Sequence, residues 1–257
     1  MLCFSSPAIL LKRTDFGDYD LIISFLSLKR GRISVIAKNA KKSRKRFSGL
    51  IEPFAKLDIV CWTSRNNGMP VLQEASMRSP CSGIRGALIE TAYASYWAEL
   101  IHGWVEAFKP QPDIYELLDY SLDALDRHAA SPHFMSILFQ MRFLGLAGFA
   151  PHLASCVACA MPLNAIPSNP VVFDLAKGGI VCDGCIAGKN RFHMPISKGT
   201  AKLLSWSLVY GMDAAMRLRF SGRSLAEAQR IMEAFVPYHL GRPPRSLNVL
   251  KELRRYG

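Results

Sequence analysis

Apolar residues recur along this chain with two different periods, and the change of period divides it. Over the first eighty residues the apolar runs are short and strand-like. Residues 8–13 (AILLKR) are followed by a turn-rich stretch, 14–20 (TDFGDYD). Residues 21–28 (LIISFLSL) and 32–37 (RISVIA) predict two strands joined at Lys29-Arg30-Gly31, a hairpin signal. Residues 51–62 predict a fourth strand in which Pro53 must sit at an edge or a bulge. Asn66-Asn67-Gly68 is a turn, and residues 69–77 return as a fifth strand. Five short strands suit a small closed barrel, and the OB-fold is the common barrel of this size that binds nucleic acids.

From residue 84 the spacing becomes helical. Leu88, Ile89, Ala92, Tyr93, Tyr96, Trp97, Leu100, Ile101 and Trp104 mark one face of a helix over residues 85–108, with Pro110 and Pro112 as its stop. Residues 113–128 predict a second helix. Ser131-Pro132 is a cap followed by a first-turn proline and opens a third, which runs to about Gly148. Residues 150–195 lose the period and hold paired cysteines. Helical spacing returns at 197–210 and 224–240, Gly241-Arg242-Pro243-Pro244 stops it, and a short helix over 247–255 closes the pattern. The expected architecture is α+β. An OB-type barrel occupies residues 1–80, a helical domain residues 81–149 and 196–257, and a metal-binding insert residues 150–195.

Composition narrows the class. Half of the 257 residues are hydrophobic, enough to bury a core and to exclude wholesale disorder. The most apolar stretch, residues 86–108, is broken by Glu90, Glu99, His102 and Glu106, so no membrane span is expected. The opening residues carry no basic start ahead of their apolar patch, which argues against a secretory signal and for a soluble, intracellular protein. Net charge is +12 and unevenly spread. Residues 1–80 hold 14 basic and 6 acidic side chains, residues 81–150 hold 4 and 8, and residues 151–257 again hold 14 and 6. Two basic segments around an acidic one point to a polyanion as partner.

Seven cysteines fit poorly with a secreted disulfide framework. Cys3, Cys61 and Cys81 are scattered. Cys156-Val-Ala-Cys159 and Cys182-Asp-Gly-Cys185 form two C-x2-C pairs with 22 residues between them. Each tight turn can present two thiolates, and two turns complete a tetrahedron around zinc at about 2.3 Å per bond. Spacing alone leaves an iron–sulfur cluster on the same ligands open, while a redox pair lacks its βαβ context. Four thiolates leave no open position on the metal, so the site is expected to be structural. His152 and His193 flank the insert and read as surface or outer-sphere donors. None of the six histidines is followed by x-Glu, which excludes the deaminase signature.

Residues 29–46 (KRGRISVIAKNAKKSRKR) contain nine Lys or Arg and no acid, six of them within 38–46. A single strand of nucleic acid needs a cationic track for phosphates and flat rings for bases. Phe47, Phe54 and Trp62 follow the run as candidate rings. A solvated loop or a localisation-type patch is the plain alternative. Asp15, Asp18 and Asp20 form an acidic turn, for which capping is a cheaper account than a cation site. The phosphate-loop, dinucleotide, nucleophile-elbow and H-E-x-x-H motifs are all missing, so a binding protein rather than an enzyme is expected. A zinc-ribbon and OB factor that binds RNA in transcription or translation would use the same two features.

The order of several motifs resembles the RecO family of bacterial recombination mediators. They are Phe16-Gly17-Asp18-Tyr19-Asp20-Leu21-Ile22, Gly31-Arg32, Ala37-Lys38-Asn39-Ala40 with its basic run, and Leu50-Ile51-Glu52-Pro53-Phe54. Leu144-Gly145-Leu146-Ala147-Gly148-Phe149-Ala150-Pro151, the cysteine pairs, and His239-Leu240-Gly241-Arg242-Pro243-Pro244-Arg245-Ser246 complete the set. The family often has Glu where Asp18 stands. The resemblance implies an OB domain, a helical domain and a structural zinc, since some relatives lack the cysteines. It also implies binding of single- and double-stranded DNA, annealing of complementary strands, and help in replacing single-strand-binding protein by RecA with RecR and, in some bacteria, RecF. A bacterial cytoplasmic, nucleoid-associated location goes with that role. Carried onto this chain, the DNA-contact candidates are Arg32, Lys38, Lys41, Lys42, Arg44, Lys45 and Arg46. Docking of the acidic tail of single-strand-binding protein would need a basic, apolar pocket, for which Arg127 and Arg142 are available.

Overall fold

Alternating burial builds the first five strands of the computed structural model, which describes residues 2–43, 46–63, 68–186, 188, 190–241 and 243–256. The strands are β1 (Leu2–Phe16), β2 (Asp20–Ser27), β3 (Gly31–Ala37), β4 (Lys56–Thr63) and β5 (Val71–Ser79). In β3, Ile33, Val35 and Ala37 are fully buried while Arg32, Ser34 and Ile36 are half-buried, the signature of a sheet with one inner face. The strands close into a barrel in the order β1-β2-β3-β5-β4. Every pairing is antiparallel except β3 with β5, which meet in parallel at Ile36 and Val71. A single long strand serves two neighbours: Leu2 to Ile9 of β1 pairs with β4 and Ala8 to Phe16 with β2, around an irregularity between Leu10 and Lys12 that bends it. Leu10, Ile23, Phe25, Ile33, Val35, Leu57, Ile59 and Leu72 form the core within.

The fourth strand starts at Lys56, not at residue 51. Pro53 has no N–H to give to a ladder, and the segment turns instead. The Ala55 N–H donates to the Glu52 carbonyl at 3.1 Å, and Phe54 adopts a φ of 67°. Phe54 and Ala55 then exchange backbone hydrogen bonds of 3.0 Å with Leu10 at the bend of β1. The turn expected at 66–68 falls largely outside the described residues.

Three helices follow the barrel in the first of two compact units, Met1–Ala129 with Asn248–Gly257. They are α1 (Ser82–Gly86), α2 (Leu88–Trp104) and α3 (Pro112–Asp126). Tyr93, Tyr96 and Trp97 of α2 are core residues, as their spacing predicts. The helix ends at Trp104, before Pro110, because Val105 turns extended and Phe108 N–H pairs with the Arg32 carbonyl of β3 at 2.9 Å. Pro112 is no terminator: it occupies the first turn of α3, where its missing N–H costs nothing. Lys56, with 6% of its side chain exposed, reaches from β4 to α3. Its Nζ lies 2.9 Å from Asp119 Oδ1 and 2.7 Å from Asp123 Oδ1, and it donates to the Asp119 carbonyl at 2.8 Å.

The second unit, Ala130–Leu247, begins with α4 (Pro132–Leu146), capped by Ser131 Oγ accepting from Phe134 N–H at 3.3 Å. A small sheet follows, β6 (Val171–Asp174), β7 (Gly179–Val181) and β8 (His193–Ile196), in the order β7-β6-β8. Helices α5 (Lys198–Val209), α6 (Met212–Ala215) and α7 (Gly222–Leu240) come next, with α4, α5 and α7 packed on one another. The last helix, α8 (Arg245–Tyr256), has its residues from Asn248 onward in the first unit. Among the described residues no helix is long and apolar enough to cross a membrane.

Candidate metal centre and nucleic-acid interface

The second unit brings all four paired cysteines together. Their Sγ atoms lie within 4.8 Å of one another, and Cys159 and Cys182 approach to 3.6 Å. Sulfurs on a tetrahedral zinc stand about 3.8 Å apart, so the spacing is that of one ion's ligand shell. Backbone hydrogen bonds hold both turns. In the first, Ala160 N–H donates to the Cys156 carbonyl at 2.9 Å and Cys156 N–H to the Met161 carbonyl at 2.8 Å. In the second, Cys185 N–H donates to the Cys182 carbonyl at 2.9 Å, while Cys182 N–H points at Cys156 Sγ, 3.4 Å away.

The later half of the 22 residues between the pairs, 171–181, folds into the β6–β7 hairpin, which delivers Cys182 from the end of β7. Asp174 Oδ1 shapes that hairpin by accepting from Ala176 and Lys177 N–H at 2.9 and 3.1 Å. Gly179 then runs against the segment ahead of Cys156. A Cβ there would stand 2.5 Å from the His152 carbonyl oxygen, so the approach requires glycine.

Electrostatics favours a cation in this cluster. Burial pushes the Cys156 thiol up, but the N–H groups of Cys182, Cys159 and Ala158 outweigh it and bring the thiol down to about 6. A further ionisation beside that thiolate is opposed: the Cys182 and Cys159 sulfurs hold Cys185 up at about 12. A bound divalent ion relieves that conflict by making every thiolate favourable. Neither flanking histidine joins the group. His152 Nε2 lies 2.7 Å from Ser155 Oγ, and His193 Nε2 lies 3.3 Å from Asp174.

The basic run of the first unit lies at the end of the barrel where the β1–β2 turn also sits. Lys41 N–H donates to the Tyr19 carbonyl at 3.0 Å and Asn39 N–H to Asp20 Oδ1 at 2.7 Å, which ties the run to the turn. Asp20 therefore braces the loop, and Asp15 pairs with Lys41 Nζ at 3.3 Å. Lys38 is exposed. Lys42 Nζ sits 3.4 Å over the ring of Tyr19, and the Arg46 guanidinium 4.3 Å over Phe47 while also donating to the Leu72 carbonyl. Arg44 and Lys45 lie outside the described residues. Arg32 is half-buried and its Nε donates to the Val105 carbonyl at 2.8 Å, so it ties β3 to the chain beyond α2.

The ring candidates divide. Phe47 and Phe54 are buried, Phe47 within the barrel core, whereas Trp62 is 45% exposed. Two exposed rings that spacing did not single out, Phe16 and Tyr19, flank the β1–β2 turn. Their signal was available in the sequence, as aromatic residues on either side of Gly17-Asp18, where a core role is hard to satisfy. Arg127 and Arg142 fall in different units. Arg127 donates to Asp123 in α3, and Arg142 to the Tyr210 carbonyl.

Comparison with known proteins covers both units. Residues 1–81 match the family model for the N terminal of recombination protein O, and residues 85–248 the model for its C terminal. A DNA repair protein RecO of Desulfosudis oleivorans is 41% identical over 98% of this chain and 99% of its own length. Those of Desulfatibacillum aliphaticivorans and Syntrophus aciditrophicus are 39% and 32% identical, each over 98% of this chain and 97% and 96% of their own lengths. With both units matched in order and relatives aligned end to end, the chain belongs to the RecO family of DNA repair and recombination proteins.

Proposed function

We propose that this protein is a DNA-binding recombination mediator whose barrel is of OB type and whose basic rim tracks the phosphates of single- and double-stranded DNA. The observation that carries the reading is the joining of cation and ring at one end of a closed barrel. Lys42 lies on an exposed Tyr19, beside Lys38 and Lys41, in a loop stitched to the β1–β2 turn. In OB barrels the loop between the first two strands borders the binding face, and stacking rings beside lysines meet both needs of a single strand. Lys38, Lys41, Lys42, Arg44, Lys45 and Arg46 form the contact set, with Arg32 adding charge from the barrel wall.

Screening of phosphate repulsion by cationic surfaces lets two complementary strands approach without ATP, which supports annealing. In that role the protein works on strands covered by single-strand-binding protein, with RecR and, where present, RecF, to admit RecA. The four cysteines hold a structural zinc that fixes the fold of residues 150–195 and takes no part in chemistry.

A Lys38→Ala, Lys42→Ala, Arg46→Ala variant tests the rim. Each cation withdrawn from a single strand's phosphates flattens the slope of log affinity against log salt by about 0.7, so three should flatten it by about 2. Annealing of strands coated with single-strand-binding protein should slow in parallel. A folded variant with unchanged slope and annealing would remove the rim from the mechanism.

A further inference from the structure

A second aromatic surface lies in the other unit. Phe192, just ahead of β8, meets Tyr238 of α7 with ring centroids 5.5 Å apart. Tyr238 meets His239 at 5.4 Å, and His239 meets Phe149 at 4.8 Å. These are distances at which rings interact, so the four form one continuous strip. Arg191 lies over the Phe192 ring, 4.8 Å from its centroid, at the outer end. Tyr238 and Phe149 are 41% and 40% exposed.

The strip is anchored from beneath. His239 packs edge-on against the buried Phe235 at 4.4 Å, and Phe235 against the buried Phe173 of β6 at 5.3 Å. Phe149 is fixed by the backbone. Its N–H donates to the Leu144 carbonyl at 2.8 Å and that of Gly148 to the Gly145 carbonyl at 3.1 Å, a Schellman close to α4 in which Gly148 takes a φ of 81°. The His239 Nε2 is buried and has no hydrogen-bond partner among the described residues, and burial lowers the pKa of this ring, which favours its neutral form. Rigid rings lose little freedom when a flat ligand stacks on them.

We propose that Phe192, Tyr238, His239 and Phe149, packed edge-on or tilted rather than in one plane, form a platform on whose exposed rings, Tyr238 and Phe149, unpaired bases of single-stranded DNA stack singly, with Arg191 taking a neighbouring phosphate. This rests on the DNA-binding reading above and adds a base-contacting site in the second unit. Charge decides the occupant. The strip carries a cation in ring contact, and three of its four rings, Phe192, Tyr238 and His239, belong to a segment with 14 basic against 6 acidic residues, which suits a polyanion with exposed π faces better than an apolar peptide.

The test uses the full-length protein, an oligothymidylate strand, and a strand of equal length made of abasic sites. A Phe149→Leu, Tyr238→Leu variant keeps the apolar character but removes two exposed rings. Its affinity for oligothymidylate should fall about 10- to 100-fold with the salt slope unchanged, because bases rather than phosphates are released. On the abasic strand variant and parent should bind alike. Photocrosslinking of the unaltered protein to a strand carrying 5-iododeoxyuridine should label peptides containing Tyr238 or Phe149, a readout independent of how the variant folds. The platform is overturned if the parent fails to distinguish the two strands, if a folded variant keeps full affinity, or if label is confined to the barrel. If the parent binds neither strand, the DNA-binding reading falls with it.

Discussion

The sulfur cluster and the basic rim differ in what holds them. Each cysteine-bearing turn is closed by backbone hydrogen bonds, and Gly179 leaves room for only one approach of the two. The rim is fixed at its base, through Lys41 and Asn39, while its working groups sit on long side chains at the surface. A metal holds its ligands at set distances. A flexible polyanion needs only a cationic field and rings within reach. Order is therefore concentrated where the ligand is a point and relaxed where it is a chain.

The largest effect that can break this contrast is at the sulfurs. Prolonged chelation, or Cys182→Ser, should destabilise the second unit by about 5 kcal/mol or more, given the binding energies of structural zinc sites, and open residues 150–195 to proteolysis. Calorimetry with limited proteolysis reads both, and an unchanged melting temperature would end the structural role. Elemental analysis and the visible spectrum of the purified protein separate zinc from an iron–sulfur cluster.

Lys56 sharpens the comparison, because it is a lysine used in the manner of the sulfurs. Its ammonium makes three close contacts from a buried stem to half-exposed partners. Lys56→Met should cost about 2–3 kcal/mol by stranding Asp119 and Asp123, yet leave the salt slope of DNA binding untouched. The rim triple variant should do the reverse, with stability within about 0.5 kcal/mol of the parent. Urea melts and salt titrations of both proteins would expose any mixing of the two roles.

A smaller effect comes from Glu227 of α7. Burial pushes its carboxyl up, but hydrogen bonds from the Ser197 and Thr200 hydroxyls, the Ser197 N–H and Arg223 bring it down to about 2 from an ordinary 4.5. The folded state thus holds its proton less tightly than the unfolded chain. Its contribution is complete above pH 4.5 and is lost as pH falls toward 2. Glu227→Gln should remove on the order of 2 kcal/mol at neutral pH and flatten the acid limb of the stability curve. An acid limb identical to the parent's would assign it to other carboxylates.

What could be read from the sequence follows the same division. The cysteine pairs are local, so spacing alone brings their four sulfurs to one cluster. The barrel strands are half-buried and long enough for alternation to appear, and the helices carry clear stripes. Legibility fails where structure depends on distant neighbours. Residues 51–55 have the composition of a strand but turn to meet the bend of β1, and Pro112, read as a stop for the helix before it, instead opens the helix after it. β6, β7 and β8 have only three or four residues each, too few for a period to show. Phe47 and Phe54 look like stacking rings beside a basic loop but are buried, Phe47 by closure of the barrel. Arg32 could not be told from its basic neighbours, because its partner carbonyl on Val105 lies 73 positions away.

The first unit has a further consequence for how the protein is made. Its residues include those from Asn248 onward, with Leu250 buried, while the second unit is complete by Leu247. On a translating ribosome the later-encoded unit therefore has all its residues before the barrel-bearing one does. The first unit receives its last residues, those from Asn248 onward, only after every residue of the second has been added.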